Sequence, residues 1–194
     1  MLFVHEHGCG RHNPDDNQIA TTLHKLGFAT LLVDLFGPKE QHELVPASRE
    51  AELSTRICEV IDWTASAPAL NGLALHCVGS GNIAEPLLRA VLASGRTVSR
   101  VALFAPPRDP DVRLIGQAPP MLILHRCGDI PADQRSADPA VKSITRVSLD
   151  PLGEARLEGA GRHIGEWIGC DRRTAPAQDR PPQDQAGPPA ALVS

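Results

Sequence analysis

The stretch that most constrains this 194-residue chain runs from Leu73 to Ala84 and reads L-A-L-H-C-V-G-S-G-N-I-A. Leu73 to Val78 is an uncharged, largely apolar run, which suits a strand buried on both faces. Gly79, Ser80 and Gly81 predict a sharp turn, and Asn82 suits a helix N-cap. Beyond it, Ile83, Leu87, Leu88 and Val91 recur at helical spacing. A strand, a turn of small residues and a helix in direct succession are the setting of a nucleophile elbow or of a phosphate-binding turn.

The rest of the chain repeats that alternation. Apolar runs at 2–5, 29–35, 101–105 and 121–125 read as further strands, and 144–149 as one more, interrupted by Thr145 and Arg146. Ile19, Leu23 and Leu26 mark a helix starting near Asp15, with Gly27 at its C′ position. Leu53, Ile57, Val60, Ile61 and Thr64 outline a second helix, and Leu157, Ala160, Ile164, Trp167 and Ile168 a last one. Strands alternating with helices predict an α/β fold: an open, mostly parallel sheet of about six strands with helices on both faces. Residues 1–170 are expected to form one domain. Residues 171–194, rich in Pro, Gln, Ala and Asp without periodicity, are expected to be a disordered tail.

Composition narrows the partners. A hydrophobic content of 42% is enough for one proper core, and a net charge of −4 provides no basic face for nucleic acid. No apolar run approaches the length of a membrane span, and no signal-peptide pattern opens the chain, so no membrane partner is expected. The five cysteines (Cys9, Cys58, Cys77, Cys127 and Cys170) are scattered and never spaced as CxxC, which reads as reduced thiols in the cytoplasm. Strand-like residues follow Met1 at once, so either the fold starts abruptly or an upstream piece is missing. Oligomeric state is left open.

Parallel sheets bind ligands beyond the carboxyl ends of their strands. His5, His76, Cys77, His125 and Asp129 fall near such ends, either as a shared site or as ordinary polar residues that finish strands. A zinc site using His5, His7, His76, Cys77, His125 and Cys127 is a weaker alternative, because H-x-H on an extended segment sends its rings to opposite faces. A nucleotide turn, Gly79-Ser80-Gly81-Asn82-Ile83-Ala84, lacks the acidic residue expected at the end of the next strand. No metal and no cofactor are therefore expected.

Four motifs, in order, resemble the dienelactone-hydrolase-like group of α/β-hydrolases, including versions found beside phosphoribosyltransferase domains. They are Phe3-Val4-His5 with the Gly-rich loop to Pro14, Leu31-Leu32-Val33-Asp34-Leu35, Ile61-Asp62-Trp63, and Leu122 to Pro131 (L-I-L-H-R-C-G-D-I-P). The resemblance covers about residues 2–168. It implies an α/β-hydrolase fold lacking the N-terminal strands, a small-molecule acyl substrate such as an ester or lactone, and Asp129 as the acid of a triad. Cys77 or Ser80 is then the candidate nucleophile.

The chain departs from that pattern at two places. An elbow reads G-x-S-x-G or G-x-C-x-G, and no register here satisfies it. Cys77 has Leu75 where a glycine is needed, and Ser80 is flanked at those positions by Val78 and Asn82. Centring on Gly79 or Gly81 leaves no nucleophile, although Gly81 best fits the strand and helix lengths. The second departure is the base. The loop after the last strand, Leu149 to Glu158, has no histidine, and His163 falls inside the last helix, on its solvent side. At the first motif, Glu6 stands where a glycine should follow His5, and a carboxylate opposes a developing oxyanion. The expectation is a hydrolase with weak or lost activity, or a relative that only binds a small molecule or a protein.

Overall fold

The computed structural model describes residues 1–5, 10–35, 37, 50–126, 144–149 and 153–169. Six strands form one sheet: β1 (Leu2–Val4), β2 (Leu31–Leu32), β3 (Leu75–Ser80), β4 (Val98–Phe104), β5 (Met121–Arg126) and β6 (Ile144–Leu149). Every pairing is parallel, in the order β2-β1-β3-β4-β5-β6. The helices are α1 (Pro14–Lys25), α2 (Glu50–Ser66), α3 (Ala84–Ala93), α4 (Val112–Ile115) and α5 (Gly153–Gly169).

Successive strand residues point to opposite faces, and the apolar runs serve both. Leu2, Val4, Cys77, Val101, Leu103, Met121 and Ile123 pack with Leu53, Ile57 and Ile61 of α2 and Leu87 and Leu88 of α3. The intervening Phe3, Val78, Ala102, Leu122 and Leu124 pack with Ile19 and Leu23 of α1 and Ala160 and Ile164 of α5. Continuous apolar runs were therefore the correct signal for a sheet covered on both sides.

From β1 the chain winds first to β2 on one side, then crosses to β3 on the other. The strand order reverses between β1 and β3, and a crevice lies beyond the carboxyl ends of β3 and β4, beside the start of α1. Leu2, Phe3 and Val4 lie beside Cys77, Val78 and Gly79, so the next step of the register sets His5 level with Ser80. Topology alone thus brings these two residues to one place.

Several boundaries differ from the sequence expectations. β3 begins two residues late and keeps Gly79 and Ser80, which pair with Leu103 and Phe104 of β4 instead of turning. A Cβ on Gly79 would meet Ile83 and Leu87 side-chain atoms at 2.8 Å, so glycine lets α3 lie close on the strand. Asn82 does not cap α3; it sits within a 3-10 turn, Gly81–Ile83, that runs into the helix without a side-chain cap bond. The second strand shrinks to Leu31–Leu32 because its neighbour β1 offers it only Leu2 and Phe3. β4 starts early, at Val98, where Arg100 lies 4.6 Å over the Trp167 ring and donates to the Trp167 carbonyl at 3.0 Å. The short α4, capped by Asp111, was not foreseen. Gly27 does end α1 as expected, with φ 83. The tail 171–194 lies outside the described residues.

Candidate functional site

The crevice is shaped first by backbone. Ser80 is extended, with φ −119 and ψ 145, Gly81 then turns to φ 64, and the chain enters its helical segment at once. A left-handed residue between strand and helix is the strained position that lifts a nucleophile out of the sheet in an elbow. Here that apex is Gly81, the register that best fitted the element lengths, and it carries no side chain. Ala105, with φ 47, is the non-glycine residue with positive φ among the described residues, and it lines the same crevice.

Below the apex, Ser80 alternates away from Gly79 and so points to the α1 side. Its Oγ donates to Asp16 Oδ2 at 3.5 Å. His5 Nδ1 stands 3.8 Å from the same oxygen and has no hydrogen-bond partner among the described residues. His5 is 3% exposed and Asp16 2%. The sequence accounts for Asp16's place. Asn13 caps α1 by accepting from the Asp15 and Asp16 N–H groups, and Pro14 opens the helix. Asp16 therefore falls in the first turn, next to the carboxyl ends of β1 and β3.

Burial raises the Asp16 carboxyl from 3.8 to about 6; the Ser80 hydrogen bond acts against this and the Asp15 charge adds to it. Burial lowers the His5 pKa, with the Asp34 charge opposing. Near neutral pH the site thus holds a neutral imidazole and a carboxylate close to its titration point. Beside Asp16 and Ser80 opens a cleft of about 450 Å³ lined by Asn13, Asp16, Ser80, Gly81, Phe104 and Arg126, among others. A buried carboxylate beside a hydroxyl in such a cleft is equipped to accept a proton.

The other predicted site residues are distributed differently. Cys77 lies in the middle of β3, 1% exposed, on the α2–α3 face and so directed away from Ser80. Burial pushes its thiol up to about 12, which keeps it protonated at neutral pH. His76 lies near the start of β3, away from the rim. His125, 4% exposed, meets Asp109 Oδ1 at 3.7 Å, and Asp109 in turn accepts from Arg146 at 2.8 Å. His163 is exposed on α5, as expected. Asp129, Glu6, His7 and Cys127 lie outside the described residues. Among the described residues no group of three potential ligands gathers around a point that could hold a metal ion, and no helix is long and apolar enough to cross a membrane. Asp16 is the site residue that sequence reasoning missed. The Asn13-Pro14 cap was its signal, because it fixes where the first turn of α1 begins.

No family model matches the chain. Two Mycobacterium tuberculosis proteins named phosphoribosyl transferases, from strains CDC 1551 and H37Rv, are 31% identical over 90 residues, 46% of this chain. The chain spans about a fifth of their length, the match covering 20% of each. Among solved structures, dienelactone hydrolase from Anabaena variabilis superposes with a TM-score of 0.72 at 23% identity, over 86% of this chain and 83% of that one. Est1E from Butyrivibrio proteoclasticus gives 0.67 at 15% identity, over 90% and 88%. An alpha-beta serine hydrolase homologue from Coxiella burnetii gives 0.62 at 15% identity, over 88% and 84%. The protein has the α/β-hydrolase fold, and the dienelactone-hydrolase-like resemblance in its motifs is matched by its structural neighbours.

Proposed function

We propose that this protein holds a small acyl compound, an ester, lactone or related molecule, in the crevice between the start of α1 and the carboxyl ends of β3 and β4, and does not form an acyl-enzyme at the elbow. One observation carries the reading: the residue at the strand-to-helix apex is Gly81, with φ 64, opening on the cleft. The elbow geometry that presents a nucleophile is kept while the nucleophile is missing, so the covalent route has no attacking atom there. In this reading the protein is a hydrolase-fold binding module or a weak hydrolase, working in the cytoplasm.

A titration of the full chain with δ-valerolactone, followed by backbone amide NMR, tests it. Saturable shifts at Ser80, Gly81, Asn82 and Ala105 are expected, and a fluorophosphonate probe should leave the protein's mass unchanged. Shifts confined to other parts of the molecule would overturn the proposal.

The Ser80–Asp16 hydrogen bond at 3.5 Å favours a second reading, in which Ser80 attacks and Asp16 takes its proton. Asp129 is the acid that the resemblance implies for such a site. A fluorophosphonate adduct mapped to Ser80 would select this reading over the first. Cys77, a buried thiol with its pKa near 12, is the poorer candidate nucleophile.

A further inference from the structure

We propose that Asp16 is a general base for direct attack by water: a water seated over Gly81, in the space a nucleophilic side chain would occupy, gives its proton to Asp16 and adds to the acyl carbon of the bound ligand. This rests on the reading of the crevice as an acyl-ligand site and gives that site a chemistry of its own.

The arrangement supports it in three ways. Gly81 leaves the apex open toward the cleft, and Asp16 lines the same cleft. Asp16 Oδ2 is already oriented by the Ser80 hydroxyl, on the residue next to the apex. The third observation is the His5 ring: its Nδ1, buried and without a hydrogen-bond partner among the described residues, lies 3.8 Å from that oxygen. A small movement of the ring would let it donate to the carboxylate, which makes His5 a positioning residue.

The step balances without another reagent. An O–H bond of water breaks and its proton passes to Asp16, while the new O–C bond forms and the carbonyl electron pair moves onto oxygen. The N–H groups at the start of a helical segment favour negative charge, and Gly81 and Asn82 of that segment line the cleft. When the carbonyl re-forms, the C–O bond to the leaving group breaks and the departing alkoxide takes the proton from Asp16. An ester and water become an acid and an alcohol, and Asp16 is again a carboxylate.

The charges around Asp16 leave it able to do this. Facing it are His5 after β1, Ser80 of β3 and Asp15 of its own helix. Arg156 of α5 stands 3.9 Å from Asp15, and Arg11 holds Asp34, the carboxylate acting on His5, at 3.5 Å. Among the described residues no lysine or arginine is paired with Asp16, although Arg126 of β5 lines the same cleft.

The test is hydrolysis of p-nitrophenyl acetate by the full chain, compared with Asp16→Asn and Ser80→Ala. Steady turnover without a burst is expected, falling with acid below an apparent pKa near that of the Asp16 carboxyl, about 6. Asp16→Asn should lose on the order of 100-fold, the usual share of a general base, and Ser80→Ala, which removes the orienting hydroxyl, should lose less than that and keep burst-free turnover. Wild-type turnover that is indistinguishable from buffer, or a rate unchanged in Asp16→Asn, would overturn the proposal. So would a rate abolished in Ser80→Ala with an acyl group on Ser80. If these fail while valerolactone still shifts the amides at 80–82, the proposal falls and the ligand site stands.

Discussion

Two buried histidine–aspartate pairs lie near the carboxyl ends of this sheet, and they differ in what neutralises the carboxylate. His125 is 3.7 Å from Asp109, whose other oxygen accepts a 2.8 Å hydrogen bond from Arg146. His5 is 3.8 Å from Asp16, which has a hydroxyl for a partner and no cation among the described residues. The first pair is closed: its charge is compensated by a residue of β6, and it ties the loop after β4 to the sheet. The second is open, with an uncompensated carboxylate in a cleft, and burial has moved its pKa toward neutrality. Similar residues at similar separations thus serve as a clasp in one place and as a reactive group in the other, and the arginine decides which.

Replacing Asp16 separates the two most sharply. Its carboxyl is raised from 3.8 to about 6, so the folded chain holds this proton more tightly than the unfolded chain does. Stability is therefore lost as pH rises from 3.8 through about 6, a loss on the order of 3 kcal/mol above that range. Asp16→Asn removes the penalty. Urea unfolding should find the variant more stable than wild type by up to about that amount at pH 8 and equal to it near pH 4. His5, whose pKa is lowered, acts in the opposite direction as pH falls, but it is present in both proteins and does not enter their difference to first order. A variant less stable than wild type at pH 8 would mean that Asp16 is a clasp after all.

Asp109→Ala should do the reverse. It strips Arg146 of a charged hydrogen bond in a partly buried setting, and a loss of about 2 kcal/mol is expected at pH 7 in the same assay. Asp109→Ala together with Arg146→Met should recover part of that loss, because no unpaired charge then remains. If the double variant is no more stable than the single one, the pair does not act as a closed unit.

Much of this architecture was legible in advance. The run 121–125 became β5 almost unchanged, because a strand covered on both faces must be apolar at every position, and 144–149 became the edge strand β6 although Thr145, Arg146 and Ser148 interrupt its apolar residues. The elbow was harder. Gly79 and Gly81 are equally able to turn, and what chose between them was pairing with β4, a contact with residues about two dozen positions away. The Asn13-Pro14 cap could place Asp16 in the first turn of α1, but not its partner, since Ser80 is 64 residues distant and reaches it only through the tertiary fold. That no register gives the elbow pattern could be read from the chain; that Asp16 lies beside Ser80 could not.

Ser80→Ala gives the smallest effect and the finest test of the contrast. The Ser80 hydrogen bond is one of the influences holding the Asp16 carboxyl down, so its removal should move that titration further above 6. At 3.5 Å the bond is long, and its loss should cost under about 1 kcal/mol at pH 7. The informative readout is a carboxyl-carbon NMR titration of Asp16 in both proteins. An upward displacement in Ser80→Ala would show that the hydroxyl is coupled to the carboxylate, as an open site requires. An unchanged midpoint would mean that Asp16 is set by burial and Asp15 alone, and Ser80 would then have no part in orienting the base.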